Sequence, residues 1–388
     1  MRRLFVLLAA GMLAAGLLTT ASSAATKSAH AVACASQVPA GNGRFGGVVS
    51  AQSIARSCSA HNTSDAANGV PPLLYWGGPV MGTDSTGPIT VTPIFWDPTA
   101  HPMSSNYMNL ITRYLGDVAT VSGADSNVYS TATEYYGTNG SINYDMVAGA
   151  PIDDQNRLPQ SSCTVMQRDR SKIYMDGSGY FACLDDAQVT AEIQRVIDAR
   201  GLPQSDYSHI YALFLPKGVE SCFYGGKTAN KFNVCTINHY KSAGYCAYHS
   251  MMGDNWPDFG TVYANMPYPI YASPVGYTCG SDAGGFLGGL QSPNHNLDAD
   301  TEISPTSHEV MESITDPNVF NGWFDAAGYE NGDECAYVWG PTAGDQGGLY
   351  NQVINTHDYL TQEEFSNLDF AGTGLGCVQS ESAVTPPQ

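Results

Sequence analysis

Apolar and polar positions follow two rhythms along this chain. Residues 89–96, ITVTPIFW, are almost wholly β-branched or aromatic, which predicts a buried strand. Pro93 has no N–H for a ladder, so this strand is expected at a sheet edge or with a bulge. HIYALFLP (209–216) predicts a second core strand, and TVYANMPYP (261–269) a third, nearer an edge. NYMNLITRYLGDVA (106–119) and DAQVTAEIQRVIDAR (186–200) instead carry apolar residues at helical spacing, and Gly201 and Pro203 end the second. Ile303, Val310, Met311 and Ile314 form one more helical stripe, with Ser304-Pro305 as its expected start and Asp316-Pro317 as its stop. Strands and helices in this order predict an α/β fold: one domain over 71–388, with a twisted mixed sheet and backing helices.

The two ends of the sequence change that picture only slightly. A basic start, an apolar run from Leu4 to Leu18 and a small-residue stretch predict a secretory signal peptide over 1–25, too short for a membrane span. Residues 26–70, rich in Ala, Ser, Gly and Asn without periodicity, are expected to form a flexible arm. The formal charge is -20. Such an acidic field repels nucleic acid and anionic membrane, so neither is expected as a partner, and no membrane insertion is expected after signal cleavage. Ten cysteines in an exported chain predict five disulfides, and no CxxC pair suggests a cysteine metal site. Cys34–Cys58, Cys163–Cys183 and Cys335–Cys377 are the expected pairs, with Cys222, Cys235, Cys246 and Cys279 sharing two more in an open order.

Candidate chemistry concentrates in SHEVMESITDP (307–317). His308 and Glu312 are four apart on the predicted helix, so their side chains point the same way and can share one metal ion. Glu309 is rotated to the side, where a general base stands to take a proton from an attacking water. The arrangement is similar to the HExxH helix of zinc proteases, with glutamate in place of the second imidazole. The plain alternative is a charged helix face in solvent. Two carboxylates and one imidazole neutralise a divalent ion, so oxygen-rich ligation admits manganese or calcium as well as zinc.

LLYWGGPVM, ITVTPIFWDP, GYCAYHS, EISPTSHEVMESITDP, NGWFD and YENGDECAY resemble, in order, blocks of the exordium or phosphate-induced protein family, over roughly residues 73–377. The resemblance implies a secreted, cell-wall-associated protein of zincin-like fold, disulfide-stabilised, with one divalent ion. By similarity to thermolysin-like enzymes, Glu330 would be the third ligand beside His308 and Glu312, and Asp333 would orient His308 from behind. His249 in GYCAYHS would then hydrogen-bond a transition-state oxyanion, or else stand as a structural histidine beside a disulfide. The expected activity is that of a secreted metal-dependent hydrolase, a metallopeptidase acting on an extracellular peptide or protein. The alternative is a non-catalytic cell-wall-associated or glycan-binding protein that keeps a structural metal. The departures from the family lie in a longer middle, extra cysteines and Pro305.

Three other patterns carry less. NLDADTEIS (296–304) alternates acids as a calcium loop does but lacks the glycine of the sharp turn. GSDAGGFLGG (280–289) lacks the ending of a phosphate loop, and no G-x-S-x-G elbow occurs. The 23 tyrosines and 5 tryptophans could offer sugar-stacking surfaces, although core packing is their commoner use.

Overall fold

A computed structural model describes residues 72–163, 174, 176–222, 235–236, 245–255, 259–270, 279–280, 287–319, 321–326 and 328–381. The expected signal peptide, the arm, the Cys34–Cys58 pair and most of the Gly-rich 280–289 stretch lie outside these residues. No helix among the described residues is long and apolar enough to cross a membrane.

The core is a mixed sheet of six strands: β1 (Ile89–Trp96), β2 (Met146–Ala148), β3 (Ile152–Asp154), β4 (His209–Phe214), β5 (Tyr248–Asn255) and β6 (Phe259–Met266). The order is β5-β6-β4-β1, with β2 and β3 end to end on the far side of β1. All pairings are parallel except β5 with β6, so β5 is an antiparallel edge.

Side chains alternate across this sheet. Val91, Phe95, Ile210, Ala212, Val262 and Ala264 face one core, which α1 (Ser105–Thr120) and α3 (Leu297–Thr315) complete. Ile94, Trp96, Tyr211, Leu213 and Tyr263 face a second core beneath α2 (Asp186–Arg200). The period of two thus makes a three-layer α/β/α arrangement. Five α-helices and one 3-10 helix occur among the described residues.

Three local expectations change. β1 is central rather than an edge, and its Pro93 is accommodated by a break in the neighbouring ladder. Gly149 N–H bonds the carbonyl of Val91, so Val91 and Pro93 present their backbone groups to the same side. β2 ends at Ala148 and β3 begins at Ile152, so the missing donor of Pro93 falls opposite the gap. β6 is likewise interior, because β5 covers it; the polar sequence YHSMMGDN gave no strand signal.

The third change concerns α3, which starts eight residues before Pro305. Its N-cap is Asn296, whose Oδ1 accepts from Ala299 N at 3.3 Å. The acids of 298–302 therefore belong to a helix and not to a calcium loop. Pro305 removes one helical hydrogen bond in mid-helix. Thr306 Oγ1 bonds the carbonyl of Glu302 at 2.8 Å, and Ser304 Oγ accepts from Gln362 N at 3.1 Å. The stop at Asp316 is as expected.

Among the described residues four disulfides occur: Cys163–Cys183, Cys222–Cys235, Cys246–Cys279 and Cys335–Cys377. The first and last match the expected pairs, and the open middle four resolve as 222–235 and 246–279.

Candidate metal centre

α3 is buried on all sides from Ala299 to Thr315. His308, Glu309 and Glu312 are 0% exposed, which removes the reading of a charged face in solvent. His308 Nε2 lies 2.8 Å from Glu312 Oε1, as two side chains four apart on a helix should.

The segment 328–335 reaches this helix through α4 (Asn331–Glu334). Asp333 N donates to Glu312 Oε1 at 3.0 Å, which fixes that carboxylate. Asp333 Oδ1 stands 3.7 Å from His308 Nε2. Ligand atoms of His308, Glu312 and Asp333 all lie within 4.8 Å of one another, the spread expected of atoms about one cation. Glu312 Oε2 and Asp333 Oδ1 are buried without a hydrogen-bond partner, as atoms awaiting a further group would be. Four outside contacts hold α4 there. Asn331 and Phe365 exchange hydrogen bonds at 2.8 and 3.0 Å, Gln362 Nε2 donates to the carbonyl of Gly332, and Cys335 is tied to Cys377.

His249 arrives from β5, sixty residues away in sequence. Its neighbour Tyr248 points to the opposite core, as the strand alternation requires. His249 Nε2 donates to the backbone carbonyl of Asp316 at 3.0 Å. Nδ1 then faces Glu309 Oε2 at 3.3 Å and Glu312 Oε2 at 3.6 Å. These three side chains form a second set of ligand atoms within 4.8 Å of one another. Both ring nitrogens are thus engaged inside the cluster, and neither is left pointing outward toward an oxyanion.

The structure brings all six sequence-named residues into this one buried centre, but it orders the downstream acids differently. Asp333, expected behind His308, joins the set with His308 and Glu312. Glu330, expected as third ligand, is outside that set; it is buried and its Oε1 lies 3.6 Å from His249 Nε2. Glu302, read only within the alternating acids of 296–304, and Glu364, which sits in no recognisable spacing, are also buried next to the cluster.

The electrostatics are those of crowded carboxylates. Burial alone would lower the pKa of His249, but Glu330, Glu309 and Glu312 raise it well above the ordinary histidine value. His308 is likewise raised, with Glu312 overcoming its burial. Burial pushes the Glu312 carboxyl up, yet His308 and His249 hold it at about 2. Burial raises Glu309, Glu302 and Glu364, and raises Asp333 with help from Glu312. Two grooves of about 580 and 840 Å³ open elsewhere, around Arg113 and Asn294 and around His101 and Phe181, and neither is lined by a residue of the cluster. Comparison with protein-family models, with curated proteins and with solved structures finds no match for this chain.

Proposed function

We propose that this chain is a secreted metal-dependent hydrolase, most simply a peptidase acting on an extracellular peptide or protein. The observation that carries the reading is the buried convergence of His308, Glu312 and Asp333 with Glu309 beside them. This donor set suits a divalent cation, zinc by the resemblance of its helix to zinc proteases, with manganese and calcium admitted by the carboxylates. Such an ion would polarise the scissile carbonyl and acidify the attacking water. Glu309 would take the proton from that water and return it to the leaving amine. Burial raises the pKa of Glu309, which suits a group that must hold a proton between those two steps. His249, anchored to the carbonyl of Asp316, holds Glu309 Oε2 in place. The likeness to the exordium family and the four disulfides support an exported setting.

A second reading, a cell-wall-associated or glycan-binding protein with a structural cation, is favoured by the burial of His249, His308, Glu309, Glu312 and Glu330. Glu309→Gln separates the two. The hydrolase reading expects the cation on His308, Glu312 and Asp333 to be retained and peptide cleavage to fall by at least about a hundredfold. Cleavage that survives the substitution defeats the proposed base, and a wild type that loads metal but cleaves nothing favours the structural cation.

A further inference from the structure

The two sets of ligand atoms share one residue. Glu312 presents Oε1 to His308 and to the amide of Asp333, and Oε2 to His249 Nδ1 at 3.6 Å. Glu312 Oε2 is buried and has no hydrogen-bond partner. A carboxylate with one oxygen turned to each of two donor sets has the form of a bridge between two cations. The imidazole on the far side is prepared for the same role. A carbonyl oxygen can only accept, so the Asp316 carbonyl requires the proton on His249 Nε2 and directs Nδ1 at the carboxylates.

Charge makes the same point. Fully deprotonated, as ligands must be, Glu309, Glu312, Glu330 and Asp333 would bring four negative charges into one centre. One divalent ion balances half of them, whereas two balance all, and uncompensated charge out of water is costly.

We infer that the centre holds a second divalent cation, on His249 Nδ1, Glu309 and Glu312 Oε2, bridged by Glu312 to the cation on His308 and Asp333. The inference rests on the metal reading above. It adds a regulatory property, because the second cation occupies Glu309, the group that must accept the proton. The chain carrying one cation is then the active form, and the chain carrying two is inhibited.

The test is a titration of the purified, chelator-stripped full chain with Mn²⁺, counting bound ions by elemental analysis and native mass spectrometry. Wild type should bind two equivalents and His249→Ala one. Electron paramagnetic resonance of wild type should pass from an isolated-ion spectrum at one equivalent to that of a magnetically coupled pair at two. This spectrum decides the matter even if His249→Ala fails to fold. Cleavage, where present, should peak near one equivalent and fall as the second site fills. One equivalent at saturation, with an isolated-ion spectrum, overturns the second site and leaves the first intact. Two equivalents in both proteins overturn the assignment to His249. No bound metal at all overturns the reading on which the inference stands.

Discussion

Gly332 shows how much of this centre depends on single atoms. A Cβ at this position would lie 2.5 Å from His308 Nδ1 and within 2.8 Å of two ring carbons, so the backbone of α4 lies against the imidazole. The ring cannot retreat easily, because His308 is fully buried on a helix packed on all sides. Gly332→Ala should therefore push α4 away from α3. We expect a loss of about 1–3 kcal/mol in denaturant melts, the usual cost of overpacking. Cation affinity in a titration should weaken by about 10–100-fold, since Asp333 and its amide move away from His308 and Glu312. Wild-type affinity in this variant would mean that Asp333 is not a ligand. Nothing in the sequence marks this residue, one of 41 glycines, because its requirement comes from a neighbour 24 positions earlier.

Among elements, α3 brings the motif and α4 completes the centre, yet α4 is a single turn that cannot hold its place alone. Its position depends on the C-terminal segment through the exchange between Asn331 and Phe365, the bond from Gln362 and the disulfide from Cys335 to Cys377. Replacing both cysteines with serine should cost about 2–5 kcal/mol, the range for a native disulfide. Metal affinity should fall too, because α4 must then be ordered each time a cation binds; an unchanged affinity would place the anchoring in the hydrogen bonds alone. The same contrast of local and distant causes explains what the sequence made legible. β1, β4 and α2 could be read because their signals are local: β-branched runs, and in α2 apolar residues at helical spacing closed by left-handed Gly201. His308, Glu309 and Glu312 could be read for the same reason, since helical spacing alone puts two of them on one face. β5 was missed because YHSMMGDN shows no apolar alternation; its place is set by β6 on one side and α3 below. The partners of His249, and the presence of Asp333 rather than Glu330 in the set with His308 and Glu312, depend on contacts dozens of residues apart that no local pattern encodes.

At the scale of the whole molecule, these buried acids make stability depend jointly on pH and metal. Burial raises the folded-state pKa of Glu302 and Glu364 well above their ordinary 4.5. As pH climbs past that value the unfolded chain releases these protons while the folded chain keeps them, so each group makes stability fall, by up to about 1.4 kcal/mol per pH unit. Asp333 acts with the same sign. So do His249 and His308, whose raised folded-state values give stability that is complete below about 6.5 and is lost as pH rises through those values. Within the centre Glu312 alone opposes them, and only between about 2 and its ordinary 4.5. The metal-free protein should therefore melt at progressively lower temperature from about pH 5 to about pH 8. A cation reverses the trend, because it binds deprotonated ligands more tightly as pH rises and stabilises whatever it binds. Thermal melts in chelator and in saturating Mn²⁺ should consequently diverge across that range, with the gap widest at the alkaline end. If the two curves stay parallel, cation binding is not linked to release of these protons, and the acids of α3 and α4 are held neutral for packing instead of kept ready for metal.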